Sequence, residues 1–248
     1  MNTKLTEGLS IVIPLFNERE NVEHLVEKIV DFKNSIDFKF QIILVDGFSN
    51  DGTQETLSAA IQNNNLHENT DLLFMKSKQG YGHDIMAGLK LSKYSYMAWT
   101  HADLQTDLND LIEGFSIIQN NPSKIIVKGN RTSRKYIDSF LTTAMQIYTF
   151  LKIGVNIHDI NAQPKIFSRD LYNILIKENP PKDFSLDLFF LIQAKKEKYI
   201  FKDFKVKFDR RKFGEAKGGG GSLKNRLALI KRTLRYINAT SIKINQDD

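Results

Sequence analysis

Two polar segments of the sequence hold residue types that could bind a nucleotide and a metal ion. Asp46 directly follows an apolar run, where an unpaired carboxylate would be costly, and could accept hydrogen bonds from a base N–H or from ribose hydroxyls. His101, Asp103 and Gln105 follow another such run and would point to one side of an extended chain. Their imidazole, carboxylate and amide oxygen could together hold Mg²⁺ or Mn²⁺, of which Mn²⁺ accepts imidazole more readily.

Both segments also have a purely structural interpretation, which their spacing leaves open. The first segment, Asp46–Thr53, is typical of a strand-to-helix turn in which Asp51 or Thr53 caps the helix. The second is typical of a polar loop that precedes a helix capped by Asp107.

Two further segments are weaker candidates for phosphate binding. Gly80–Asp84 is rich in glycine, but it fits neither a P-loop nor a dinucleotide-binding fingerprint, so we interpret His83 and Asp84 as ordinary loop or helix-start residues. Arg211–Lys217 places cations around a glycine, and arginine pairs bidentately with phosphate. A solvated run of charge is the alternative for this last segment.

The elements around these segments predict an α/β fold. Near-continuous apolar runs predict strands over residues 10–16, 40–45, 71–75, 96–100 and 124–128. Apolar residues at helical spacing predict helices over 18–32, 53–62, 81–91 and 108–118. Strands that alternate with helices indicate a Rossmann-like, mostly parallel sheet flanked by helices, which binds ligands at the carboxyl ends of its strands.

The second half of the sequence is less regular. We predict helices over 139–152 and 184–196, a polar loop over 159–164 and a strand over 199–208. A glycine run over 218–221 predicts a flexible joint. Beyond it, Leu223, Leu227, Ile230, Leu234 and Ile237 lie among basic residues and predict a basic amphipathic helix with Ser222 at its start.

The charge of the chain is unevenly distributed. The 248 residues carry a net charge of +6, but residues 195–243 alone carry +12 and the remainder −6. This asymmetry indicates an anionic partner on one side of the protein. The absence of cysteine excludes disulfides and thiolate metal sites, and no apolar run reaches the roughly 18 residues of a spanning helix. The sequence starts without a secretion leader, so we expect a cytoplasmic protein.

The motifs, taken in their order, resemble those of the family 2 glycosyltransferases with the GT-A fold, particularly the dolichol-phosphate-mannose-synthase-like branch. The matching segments are Ile11–Glu18, Val45–Thr53, Lys78–Gly82 with Gly88, His101–Gln105, and Arg211–Lys217. The resemblance covers residues 9–217, which we interpret as a GT-A domain with a nucleotide-sugar half, 1–130, and an acceptor half, 131–217. The joint and the basic helix form the remainder, 218–248.

The resemblance implies roles for particular residues. The nucleotide-sugar donor would be bound by Pro14, Glu18, Asp46, Lys78, Asp103, Arg211 and Lys217. Mg²⁺ or Mn²⁺ would be held against the diphosphate by His101, Asp103 and Gln105. Acceptor or phosphate groups would meet Arg131, Arg134, Asp159 and Gln163.

Two positions depart from the family's pattern. His101 occupies the first position of the usual D-x-D, which removes a negative charge and shifts the expected preference towards Mn²⁺. Gly47 occupies the second position of the usual D-D pair, which weakens any inference about the base that is bound. Asp46 and Asp103 are retained, so we do not infer an inactive enzyme.

The resemblance implies an inverting hexosyltransferase that acts on a polyprenyl-phosphate or lipid-linked acceptor. The basic helix predicts peripheral attachment to the inner face of the membrane, and its alternative is a helix that packs on the domain with a solvated basic face. A soluble enzyme acting on a hydroxyl of a cell-envelope polysaccharide is the first alternative. That reaction would need a general base, for which Asp187 is the best candidate and Asp159 the reserve. A non-catalytic nucleotide-sugar-binding module is the second alternative. A nucleic-acid-binding protein is disfavoured, because basic and aromatic residues do not interleave.

Overall fold

The computed structural model describes residues 6–121, 124–132, 136–154, 158–209, 211, 227 and 230–240, apart from the side chains of 136–142. The strands are β1 (Leu9–Leu15), β2 (Phe40–Asp46), β3 (Thr70–Phe74), β4 (Tyr96–Trp99), β5 (Ile125–Thr132), β6 (Lys165–Ser168) and β7 (Ile200–Lys207). The helices are α1 (Arg19–Asn34), α2 (Thr53–Asn63), α3 (Tyr81–Lys90), α4 (Asp110–Gln119), α5 (Tyr136–Ile153), α6 (Arg169–Leu175) and α7 (Leu186–Lys196).

The seven strands form one sheet in the order β3-β2-β1-β4-β6-β5-β7. β1 pairs in parallel with both β2 and β4, while β6 runs antiparallel to β4 and β5. Leu15, the last residue of β1, pairs with Asp46, the last residue of β2. The carboxyl ends of β1, β2 and β4 therefore lie along one edge. The chain runs outward from β1 through β2 to β3, and α3 then carries it back to β4 on the other side of β1. Such a switch point is where open α/β sheets bind ligands.

The strands read as continuous apolar runs because helices cover both faces of the sheet. Every residue of β2 is buried. Alternate residues of β1 point into two separate cores, with Ile11 and Ile13 on the side of α1, α2 and α4, and Val12 on the side of α3, α6 and α7. A mostly parallel sheet flanked by helices is the architecture that the sequence predicts.

The second half contains two elements that the periodicity did not predict, β6 and α6. β6 has only four residues, too few for an alternating pattern to stand out. It inserts between β4 and β5 and extends the sheet into the second half of the chain.

A helical segment over 230–240 packs onto the domain. Ile237 is fully buried in the core on the α3, α6 and α7 side, and Tyr148 on α5 donates a 2.7 Å hydrogen bond to Asn238. The glycine joint, Ser222 and Leu223 lie outside the described residues, so the division at 217 stays a prediction. No helix in the described part of the chain has both the length and the apolar character needed to cross a membrane.

Candidate functional site

The loop after β2 is organised around one buried carboxylate. Asp46 is fully buried, and its Oδ1 accepts hydrogen bonds from Phe48 N at 3.1 Å, Ser49 N at 2.9 Å and Gln54 Nε2 at 2.5 Å. Within the described residues, its Oδ2 is buried without a hydrogen-bond partner. The carboxylate thus fixes the shape of the loop from inside the protein. The contact between Asp46 and the nucleotide-sugar that the resemblance implies stays a prediction.

The loops after β1 and β2 are tied together. Asn17 N donates to Ser49 Oγ at 2.7 Å, and Asn50 N donates back to Asn17 Oδ1 at 3.0 Å. Asp51 accepts a 3.0 Å bond from Thr53 N, while α2 begins after Gly52 without a side-chain cap bond. Asp51 is therefore a turn residue rather than the cap of this helix.

Gly47 has no side chain because another carboxylate occupies the space. A Cβ atom at position 47 would lie 2.5 Å from Oδ2 of Asp84, which is 5% exposed in the first turn of α3. Burial raises the pKa of Asp84, and the charge of Asp46 raises it further, although His83 opposes both. Asp84 is thus more than the ordinary helix-start residue that the sequence indicates, because its carboxylate packs against the loop after β2.

The segment after β4 is bent, so the expectation that residues 101, 103 and 105 share one side of an extended chain is wrong. Leu104 has a φ of 57°, which turns the chain between Asp103 and Gln105. Gln105 Nε2 donates to the carbonyl of Asp209 at 3.0 Å. The metal role predicted for Gln105 therefore depends on its amide oxygen alone. Asp107 bonds to Asn109 N but is not the residue that precedes α4, which is Asn109.

Arg211 joins the ends of β1 and β4. Its guanidinium donates to Glu18 Oε2, and its NH1 lies 3.9 Å from Asp103 Oδ2. Asn21 Nδ2 donates to the same Glu18 oxygen at 2.5 Å. Glu18, Asp103 and Arg211 are separated by up to 193 positions in sequence, and the structure brings all three together as the resemblance implies.

The other donor residues lie on the same edge of the sheet or beyond the described residues. Pro14 is the penultimate residue of β1 and pairs with Val45. Lys78 Nζ lies 4.0 Å from the ring centroid of Phe16. Lys217 lies outside the described residues.

A chain of polar contacts runs from His101 towards the second half of the protein. His101 Nε2 lies 3.1 Å from the Tyr81 hydroxyl, and its Nδ1 lies 3.9 Å from Asp103 Oδ2. Gln163 Nε2 lies 3.5 Å from the same hydroxyl and donates to Asp187 Oδ1 at 2.9 Å. Burial raises the pKa of Tyr81 well above its ordinary value, and the charges of Asp187 and Asp103 raise it further, so the phenol stays neutral.

Asp187 is buried and paired, and it is not an ordinary acid on a helix surface. Its Oδ1 accepts a 2.5 Å bond from Lys165 Nζ, and the two side chains are 4% and 0% exposed. Lys165 Nζ also donates to the carbonyl of Ala162 at 2.9 Å. Burial lowers the pKa of Lys165, and Asp187 opposes that shift. Sequence reasoning missed Lys165, because a lone lysine after a proline gives no signal of burial.

The acceptor residues are also paired within the protein. Arg131 donates to both carboxylate oxygens of Asp159, which is 7% exposed and has a φ of 40°. Each residue thus compensates the charge of the other, and phosphate would have to compete with Asp159 for Arg131. Arg134 lies outside the described residues.

The metal ligands available from the protein are few. Within the described residues, no group of three or more His, Cys, Asp or Glu side chains could hold a metal ion. The candidate donors are therefore His101, Asp103 and the amide oxygen of Gln105, a set that leaves several positions of an octahedral ion open.

Residues 10–183 match the family described as "Glycosyl transferase family 2". The chain belongs to glycosyltransferase family 2. Dolichyl-phosphate beta-glucosyltransferase of Dictyostelium discoideum is 24% identical over 182 residues, 65% of this chain and 54% of that protein. Dodecaprenyl-phosphate galacturonate synthase of Rhizobium johnstonii is 24% identical over 163 residues, 64% of this chain and 47% of that protein. The chain spans about half the length of these curated relatives. Their names confirm the resemblance to the polyprenyl-phosphate branch.

The fold of the chain is shared by solved structures of sugar-transferring synthases. Glucosyl-3-phosphoglycerate synthase from Mycobacterium tuberculosis, in complex with Mn²⁺, UDP and glucosyl-3-phosphoglycerate, superposes with a TM-score of 0.67 at 13% identity. The match covers 92% of this chain and 77% of that one. This likeness confirms the GT-A fold.

Proposed function

We propose that the protein is a metal-dependent, inverting hexosyltransferase that moves a sugar from a nucleotide-sugar to a polyprenyl-phosphate or lipid-linked acceptor. The grouping of Arg211, Glu18 and Asp103 where β1 and β4 end is the observation that carries the proposal. A guanidinium beside carboxylates at a switch point suits a diphosphate that arrives with its metal. The names of the two curated relatives support a polyprenyl-phosphate acceptor.

The chemistry assigned to the chain follows from the charge that the reaction creates. Transfer breaks the bond between C1 of the sugar and a diphosphate oxygen, and negative charge grows on the leaving nucleoside diphosphate. The guanidinium of Arg211 is a planar fork of N–H donors, a shape that suits both the carboxylate of Glu18 and a diphosphate. Glu18 holds the guanidinium in place before the donor binds, and Asn21 in turn holds Glu18, which reduces reorganisation during the reaction.

The residues near Asp103 fit a divalent cation. His101 Nδ1 and Asp103 Oδ2 lie 3.9 Å apart, and both side chains are partly exposed. One carboxylate and one imidazole suit Mn²⁺ at least as well as Mg²⁺, with diphosphate oxygens and water completing the set. When bound, the ion would neutralise charge on the leaving group. The Mn²⁺ and Mg²⁺ complexes of the mycobacterial synthase support this cofactor class.

The surroundings of Asp187 favour a phosphate acceptor over a hydroxyl acceptor. A phosphate is already an anion and needs no general base, whereas a hydroxyl does. Asp187 is held by Lys165 and Gln163 inside the protein, and Asp159 is held by Arg131. Neither carboxylate is free to take a proton from a sugar hydroxyl. Asp187→Asn should therefore retain transfer to a polyprenyl phosphate, while near-complete loss of turnover in a correctly folded variant would favour a polysaccharide hydroxyl.

We assign the peripheral membrane contact to α5 rather than to the apolar stripe of the C-terminal helix. Ile237 on that stripe is fully buried in the domain. On α5, Ile147, Phe150 and Leu151 are 54%, 50% and 73% exposed and lie on one helical face. Exposed basic residues on the neighbouring segment, Lys231 and Arg235, would meet anionic headgroups at the cytoplasmic face.

Vesicle co-sedimentation tests this contact. Phe150→Ser with Leu151→Ser should reduce binding to vesicles that contain anionic lipid. Leu91→Ser with Ile176→Ser is the matched control, since these residues are 44% and 47% exposed elsewhere on the surface. Equal binding of both double variants to the vesicles would show that α5 does not contact the membrane.

A thermal-shift screen tests the donor half of the proposal. Nucleoside diphosphates and nucleotide-sugars are added with and without Mn²⁺, and a selective ligand raises the Tm by mass action. We expect a metal-dependent rise that Arg211→Ala abolishes. If no nucleotide changed the Tm, the assignment of the nucleotide-sugar site would be refuted. Metal-dependent binding without transfer or hydrolysis, with any lipid acceptor, would instead support the non-catalytic nucleotide-sugar-binding module.

A further inference from the structure

Phe48 combines two properties that packing alone does not explain. Its φ of 73° is a left-handed backbone conformation that costs free energy in a residue with a Cβ atom. Its side chain is 49% exposed, so little burial compensates that cost. A strained backbone that presents an apolar ring to solvent is the kind of outlier that proteins keep at ligand sites.

The surroundings of Phe48 hold this conformation firmly. The carboxylate of Asp46 binds the backbone N–H groups of Phe48 and Ser49 from below. A side chain at position 47 would displace the Asp84 carboxylate, and Ser49 is fixed to the neighbouring loop by Asn17. Asp46 already engages the N–H groups of Phe48 and Ser49, whereas the Phe48 ring is half-exposed.

A continuous set of contacts connects Phe48 with the donor site. Ser49 bonds to Asn17, the next residue is Glu18, and Glu18 bonds to Arg211 beside Asp103. The other aromatic residue on these loops, Phe16, has Lys78 Nζ 4.0 Å from its ring centroid, which covers one of its faces. Phe48 therefore borders the edge where the diphosphate is expected, one loop further from β4.

We infer that Phe48 is the platform on which the base of the donor nucleotide stacks. The inference rests on the proposed function, and it adds a base contact that the motif residues do not include. Stacking on a ring face tolerates every base, because each base has a π-face. The diphosphate then reaches Arg211 and Asp103, while the base lies over the loop after β2.

Calorimetric titration of the full chain with UDP, GDP and pyrophosphate, each with Mn²⁺, tests the platform. Phe48→Gly removes the ring but keeps the left-handed backbone, which glycine adopts without strain. Phe48→Tyr keeps the ring face. Leu91→Ala is the matched control, because Leu91 is a 44% exposed apolar residue at the C-terminal end of α3.

We expect Phe48→Gly to weaken UDP and GDP binding by about tenfold, the usual effect of losing one stacked aromatic ring. Pyrophosphate has no base, so its affinity should not change. Phe48→Tyr and Leu91→Ala should bind all three ligands within about twofold of the unaltered chain. The Tm of Phe48→Gly should not fall, because the variant relieves strain and removes little burial.

Three results would overturn the inference. Unchanged affinity of Phe48→Gly for UDP and GDP would show that the ring does not contact the base. An equal loss for pyrophosphate would show that position 48 acts on the phosphate region through the loop. If the unaltered chain bound pyrophosphate but neither nucleotide, or bound none of the three, the proposed donor site would fail and the platform with it.

Discussion

The buried pair of Lys165 and Asp187 offers the sharpest test of how β6 and α7 are held together. Both side chains are at most 4% exposed, and Lys165 Nζ lies 2.5 Å from Asp187 Oδ1. Lys165→Met keeps the volume of the aliphatic part of the side chain and removes the ammonium. The Asp187 carboxylate then keeps its hydrogen bond from Gln163 Nε2. Removal of one partner from a buried pair costs about 3–5 kcal/mol, because an uncompensated charge stays inside.

The expected size of the effect can be measured by unfolding. For a chain of this length each kcal/mol lowers the Tm by about 2–4 °C, so Lys165→Met should lower it by roughly 6–20 °C. Asp187→Leu should have a similar effect, since it isolates the ammonium of Lys165. The double variant removes both charges and should be close to neutral, because apolar residues of similar volume can replace a buried pair.

Urea unfolding of the four proteins then gives a coupling free energy, for which we expect about 3 kcal/mol or more. Single variants that each cost less than about 1 kcal/mol, with additive effects in the double variant, would refute the reasoning. In that case Lys165 would not hold the Asp187 carboxylate tightly, and the role of Asp187 as a general base would regain support.

Three further predictions concern the donor edge and α4. Gly47→Asp should weaken metal-dependent UDP binding in calorimetry, because a Cβ atom at position 47 would lie 2.5 Å from Asp84 Oδ2 and displace that carboxylate, and Asp84→Ala in the same chain should restore it; failure of that rescue would contradict the steric account. Arg211→Lys should reduce transfer more than tenfold in a radiolabelled sugar assay, because an ammonium cannot hold Glu18 and a diphosphate in one fork; full activity would count against the fork. Burial raises the pKa of Asp110 to about 6 from 3.8, with the charge of Asp107 as the next cause. The folded state thus binds the extra proton between these values, and stability falls as pH rises through that window. Asp110→Asn should therefore stabilise the fold at pH 7.5 by about 1 kcal/mol after solvent screening is allowed for, and not at pH 4, in urea unfolding; a gain equal at both pH values would exclude titration as the cause.

The sequence predicts β1 and β2 well because these strands are buried on both faces. FQIILV before Asp46 has one plausible structure, and the rule that strands in parallel βαβ units end on the same edge places Asp46 near Asp103. The motif order also predicts that Arg211 belongs to this edge. A contact that spans 193 positions is invisible to periodicity, so only the family resemblance could suggest it.

The remaining features depend on contacts that spacing does not encode. Lys165 and Asp187 lie 22 positions apart on a four-residue strand and a helix, and neither pattern indicates a buried charge. The stripe that contains Ile237 has the same spacing whether it packs on a protein core or on a membrane. The bend at Leu104 overrides the extended geometry expected after β4, because the chain there turns back towards Asp209.

The close approach of Asp84 to position 47 limits the order in which these two residues can change during evolution. A chain with aspartate at both positions would place two carboxylates in the space of one, so the two substitutions depend on each other. A route from the common D-D loop to this sequence can acquire Gly47 first and Asp84 second, whereas the reverse order passes through a clash. Reversion follows the same rule, and the glycine stays fixed for as long as Asp84 remains on α3.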